Sequence, residues 1–200
     1  MTAAKTLFEL AGHVPEAASL EEAVLVLIDY QNEYREGPLA LPGVEPALER
    51  AGALLAAARR VGAPVVHVVH RGRPGGLFDR SRQRGEIVEA LAPRAGEPVV
   101  EKTLPNGFAG TDLASCIGAA GTRIIVAGFM THNCVSSTVR AALDLGYAIT
   151  LAGDACATRD LPLRGGIVPA AQIHEATLAA LADRHARVVE VADLLKARVS

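Results

Sequence analysis

Tryptophan is missing from this 200-residue chain, and aromatic residues make up only 4% of it. A core cannot then be organised around large rings. It must come from the aliphatic residues that bring the hydrophobic share to 50%. Lysine is scarce too: Lys5, Lys102 and Lys196 are the only ones, and arginine supplies the rest of the 20 basic side chains. Charge of one sign is not in surplus, because 22 acidic residues leave a net charge of −2. That excludes the basic surface needed to neutralise phosphates, so no nucleic-acid partner is expected. No apolar run approaches the ~20 residues of a membrane span, so no membrane partner is expected either. The three cysteines are an odd number, and no apolar stretch follows Met1 to Lys5 as in a secretory leader. A disulfide framework is therefore not expected, and a reducing cytoplasm is.

What is present is an alternation. Short Val/Ile runs at Ala23–Ile28, Val65–Val69, Val99–Val100, Arg123–Ala127, Ala148–Leu151 and Val188–Val191 read as six strands. Between them lie Ala/Leu-rich stretches with helical spacing, near 45–60, 86–91, 111–119, 133–145 and 168–184, with a short helix at 193–197 closing the chain. Gly62 and Gly146 fall where helix C-caps belong. Several strands are almost continuous in Val, Ile and Leu, as in a parallel sheet covered on both faces. The expected fold is α/β: a three-layer α/β/α, doubly wound, six-stranded and mostly parallel sheet in the order 3-2-1-4-5-6. The length fits one domain over residues 1–200, burying roughly 70% of its unfolded surface, with 1–20 as an N-terminal arm.

Ligands of such sheets bind beyond the C-terminal strand ends. Three reactive side chains fall there. Asp29 closes the first strand, Lys102 closes the third, and Cys134 lies after the fourth at the start of a helix. A thiol is nucleophilic as thiolate, and a helix N-terminus with a nearby cation is expected to lower its pKa. Asp29 can take the thiol proton and return it to a leaving amine, with Lys102 holding the carboxylate. Backbone N–H groups at the helix start can serve an oxyanion.

These residues also sit in recognisable segments. Ile28-Asp29-Tyr30-Gln31-Asn32-Glu33-Tyr34 resembles the opening motif of the isochorismatase-like cysteine hydrolases. Lys102-Thr103-Leu104-Pro105-Asn106-Gly107-Phe108 resembles their lysine segment, and Gly128-Phe129-Met130-Thr131-His132-Asn133-Cys134-Val135 their nucleophile segment. Gly146-Tyr147 and Asp154-Ala155-Cys156-Ala157 match the family's later segments, so the likeness runs from about Ala23 to Leu195. The resemblance implies a triad of Asp29, Lys102 and Cys134. It implies a cis peptide between Phe129 and Met130 that aims the Met130 and Cys134 amides into an oxyanion hole. By analogy Tyr34, Asn106, Phe108 and Phe129 line the substrate pocket, although packing roles are open for them. It further implies a small-molecule substrate, no cofactor and a homo-oligomer.

Some features depart from relatives within that family. Metal-dependent nicotinamidases carry a D-x-H pair and a further His, whereas here the second strand offers His67 and His70. Three apart on a strand, those two point to opposite faces and cannot chelate together, so no metal is expected. The cysteine favours an amide, ureide or N-carbamoyl substrate. A vinyl ether cleaved with Asp29 as the acid is the alternative, and a redox-sensitive or ligand-binding module without catalysis is another. His132 neighbours Cys134 and could pair with it as a Cys–His dyad, but reads better as a helix-end histidine; His174 reads as a core or interface histidine, and Cys116 and Cys156 as structural. The loop Arg71–Arg84 carries five arginines, which fit either a solvated or subunit-contact loop or a gate that binds a substrate carboxylate.

Overall fold

The computed structural model describes residues 3–196. Six strands form one sheet: β1 (Ala23–Ile28), β2 (Val65–His70), β3 (Val99–Lys102), β4 (Arg123–Gly128), β5 (Ala148–Ala152) and β8 (Arg187–Val189). Their order is β3-β2-β1-β4-β5-β8, and every pairing is parallel. This is the doubly wound order expected from the sequence, with β8 as the sixth strand.

All six residues of β1 are buried, as its unbroken AVLVLI run demands at the centre of a two-sided sheet. Successive side chains point to opposite faces and so feed two separate cores. Leu25 and Leu27 join Leu54, Leu55 and Ala58 of α2 (Val44–Val61) and Leu194 of α6 (Val191–Lys196). Val24, Val26 and Ile28 join Leu113 of α3 (Leu113–Ile117), Val139 of α4 (Ser136–Asp144) and Leu181 of α5 (Ala170–Arg184). Burying one such leucine contributes about 1.5–3 kcal/mol. Helix α2 stops at Gly62, whose φ of +72° lets its N–H turn back to Ala58 O and Arg59 O.

The sequence misses several local features for identifiable reasons. The 86–91 segment forms only a single turn at Glu89–Leu91, because Val88 N–H is drawn to Tyr30 O. Helix α5 begins at Ala170, not 168, since Val168 belongs to a small antiparallel hairpin, β6 (Leu161–Leu163) with β7 (Gly166–Val168). Strand β8 ends at Val189 because Val191 N–H is taken by Asp154 Oδ1, which starts α6. The expected end of that helix, Ala197, lies outside the described residues. A short helix α1 (Leu7–Leu10) is held by a reciprocal Thr6–Glu9 capping box. The segment before Leu20 lies along its own chain: Leu7 N–H donates to Asp183 Oδ1 and Ala18 N–H to Thr150 Oγ1, each at 2.8 Å.

Candidate active site

At the C-terminal ends of β1 and β4 the chain leaves the sheet abruptly. Asp29 adopts φ +53°, a left-handed conformation uncommon outside glycine, with its N–H on Val68 O and its own O accepting from Gln31 N–H, both at 2.8 Å. Opposite it, Gly128 approaches so closely that a Cβ would sit 2.3 Å from Ile28 O. Only glycine permits that approach, and it sets the distance between the two segments that carry Asp29 and Cys134. The Phe129–Met130 peptide bond is cis. A π-helical turn over Thr131–Val135 then runs into α4. Asn133 and Val135 N–H both donate to Met130 O.

Asp29, Lys102 and Cys134 meet here. Lys102 Nζ lies 2.6 Å from Asp29 Oδ2 and 3.2 Å from Cys134 Sγ. Its long stem carries the ammonium inward past β2, which is how a residue of the outermost strand reaches the centre of the rim. The Asp29 and Lys102 side chains are both fully buried. Asp29 Oδ1 is buried without a hydrogen-bond partner.

Burial dominates the electrostatics. It raises the Asp29 carboxyl above its ordinary value, although the Lys102 charge and hydrogen bond pull the other way. It also pushes the Cys134 thiol up to about 12, with the Asp29 charge adding to the rise and Lys102 opposing it. The lowered thiol pKa anticipated from a helix start and a cation is therefore not found: desolvation outweighs both. Burial thus favours the thiol form of Cys134 over the thiolate.

The other expected site residues divide. Tyr34 and Phe129 are buried together, their rings 5.6 Å apart and nearly perpendicular, and Phe78 packs on Tyr34 at 5.2 Å. Asn106 and Phe108 find partners in their own loop and in the next segment over. Asn106 Oδ1 accepts from Phe108 N–H within its own loop, and Phe108 stacks on Tyr147 as part of the second core. His132 Nδ1 is held by Thr158 Oγ1 and His174 Nδ1 by Thr131 Oγ1. His67 faces away from the site, 3.1 Å from Glu97. Among the described residues the cysteines are free, and no group of three or more His, Cys, Asp or Glu is placed to hold a metal.

Two residues that the sequence reading passed over organise the rim. Gln31, fully buried, takes the His70 N–H on Oε1 and gives Nε2 to His70 O and Gly85 O. Glu33 accepts from Phe78 N–H and pairs with Arg84. Both tie the arginine-rich loop down over the site. Of its arginines, Arg71 and Arg80 pair with Glu101, Arg82 with Asp79 and Arg84 with Glu33. A signal was available: Gln31 and Glu33 continue the every-second-residue pattern that starts at Asp29.

A doubly wound sheet with a buried carboxylate, ammonium and thiol at its central rim defines a hydrolytic α/β enzyme. The chain belongs to the isochorismatase family, whose domain matches residues 23–193. It is 43% identical to an isochorismatase from Pseudomonas putida KT2440 known from its crystal structure. That likeness has a TM-score of 0.90 and covers 96% of this chain and 99% of that one. A secreted isochorismatase effector, Isc1, from Verticillium dahliae is 37% identical over 92% of this chain and 96% of its own. Maleamate amidohydrolase of Pseudomonas putida is 33% identical over 62% of this chain and 66% of its own. No helix among the described residues is long and apolar enough to cross a membrane.

Proposed function

We propose that the chain is a cysteine amidohydrolase that cleaves a small amide, ureide or N-carbamoyl bond through a thioester on Cys134. One observation carries the reading: Lys102 Nζ bridges Asp29 Oδ2 and Cys134 Sγ at 2.6 and 3.2 Å, while Asp29 Oδ1 is buried and bare. A carboxylate oxygen without a partner beside a protonated thiol is a base with a proton to collect. The relation to a maleamate amidohydrolase supports the amide class.

In this mechanism Cys134 Sγ attacks the substrate carbonyl carbon as its proton passes to Asp29. The oxyanion of the tetrahedral intermediate is met by the Met130 and Cys134 N–H groups. Collapse breaks the C–N bond, and Asp29 returns the proton to the departing nitrogen. Water then adds to the thioester, losing its proton to Asp29. The second intermediate expels the thiolate, which regains that proton, and the carboxylic or carbamic acid leaves. Lys102 keeps Asp29 in place and balances the charge that moves between Asp29 and Cys134.

Tyr34 and Phe129 form the apolar wall of the pocket. The enzyme works on a small molecule in the cytoplasm, with residues 1–200 as one domain and a second copy of the chain as partner. Size-exclusion chromatography with light scattering tests the last point. Function is tested by ammonia release from a panel of small amides, ureides and N-carbamoyl compounds. Activity present in the wild type and lost in Cys134→Ala supports the reading. Activity that survives Cys134→Ala but fails in Asp29→Asn replaces the thioester with Asp-led amide hydrolysis, and silence across the panel moves the reading to a vinyl ether cleaved with Asp29 as the acid.

A further inference from the structure

Lys102 has three N–H donors and no acceptor. Two are accounted for by Asp29 and Cys134, and the third points toward His70 Nδ1 at 3.4 Å. We infer that His70 is a fourth member of the site, a positioning residue whose bare Nδ1 fixes the Lys102 ammonium between Asp29 and Cys134. The inference rests on the amidohydrolase reading above and adds to it a residue that no triad includes.

The imidazole is itself held firmly. Gln31 pins the His70 backbone from both sides, at 2.8 Å on its N–H and 2.9 Å on its O. The ring meets Phe78 edge-on, with centroids 5.1 Å apart. Since an ammonium can only donate, the contact requires an acceptor at Nδ1 and so places the imidazole proton on Nε2. Burial and the Lys102 charge both favour the neutral ring, holding its pKa down to about 4. A buried ammonium with one N–H unanswered is costly, and it can turn or admit water to recover the bond. Either response moves the charge that Asp29 and Cys134 share. His70 thus acts through Lys102 and does not touch the substrate.

The test has two arms. In the first, His70→Leu and His70→Asn are compared with the wild type on the panel amide that it hydrolyses best. His70→Leu should lower kcat about 10- to 100-fold with KM nearly unchanged, the cost of a small displacement of catalytic groups. His70→Asn restores an acceptor and should recover a substantial part of that loss at similar thermal stability. Wild-type kcat in His70→Leu overturns the proposal. So does a loss that His70→Asn fails to relieve, or one that tracks stability alone. The second arm needs no turnover: 15N-labelled histidine spectra at neutral pH, with the resonance missing from His70→Asn assigned to His70. A neutral Nε2–H tautomer supports the contact, and an Nδ1–H tautomer rules it out. If Cys134→Ala keeps its activity or the panel is silent, the amidohydrolase reading has failed and the tautomer alone decides the place of His70.

Discussion

Two carboxylate–cation clusters sit at opposite ends of the parallel strands. Near the start of β3, Glu97 takes two hydrogen bonds from Arg59, at 2.8 and 2.7 Å, one from Arg94 N–H at 2.8 Å, and a contact with His67 at 3.1 Å. Arg59 and those other partners hold its pKa down to about 2. At the far end, Asp29 Oδ2 takes Lys102 while Oδ1 has no partner at full hydrogen-bond geometry, and burial holds its pKa up although Lys102, the Cys134 thiol and the His70 N–H pull it down. The ingredients match, but the degree of satisfaction does not. A saturated carboxylate has no remaining lone pair in need of a proton and serves the fold. An under-satisfied one, buried beside a thiol, fits the proton transfer proposed for Asp29.

The contrast can be broken at the catalytic end first. If Cys134 is the nucleophile, as proposed, Cys134→Ala should lower turnover by at least about 10⁴-fold with the fold retained, read as ammonia release beside circular dichroism. Asp29→Asn keeps the shape but cannot carry the proton, and should cost about 10³- to 10⁴-fold in kcat. Lys102→Met preserves much of the stem and removes the charge. A loss of about 10²- to 10³-fold is expected from the missing electrostatic support. If Lys102→Met were as active as the wild type, the two clusters would differ only in burial.

The structural end sharpens the comparison. Glu97→Gln should leave turnover unchanged and lower unfolding stability by about 1–3 kcal/mol at neutral pH, the scale of hydrogen bonds to a charged group. Its pH dependence has a definite sign. Glu97 is depressed from 4.5 to about 2, so its contribution is complete above pH 4.5 and disappears as pH falls through about 2. Denaturant unfolding of wild type and Glu97→Gln should therefore converge across that window. Asp29 has the opposite sign, since its raised pKa means that ionisation works against folding.

The large features were legible because they depend on long-range patterning. An apolar run such as AVLVLI has one place to go in a three-layer sheet, and strand ends then locate Asp29 and Lys102. What escaped is set by contacts distant in sequence. Nothing local says that Val88 N–H will be captured by Tyr30 O, or that Asp154 will start α6. Nor does anything local say that Phe108 will stack on Tyr147, from a separate segment. The thiol pKa was misjudged for a similar reason: helix position and charge can be read along the chain, whereas desolvation depends on everything packed around Cys134. Helix α1 is the exception, since its Thr6–Glu9 box was local and plain.

The shortage of lysine has a practical side. Lys5 and Lys196 are exposed and stand near opposite ends of the chain, while Lys102 is 1% exposed. Amine-reactive dyes, crosslinkers or resins would thus find handles close to the two termini and none in the reaction centre. Coupling through Lys5 or Lys196 would leave the buried Lys102 untouched.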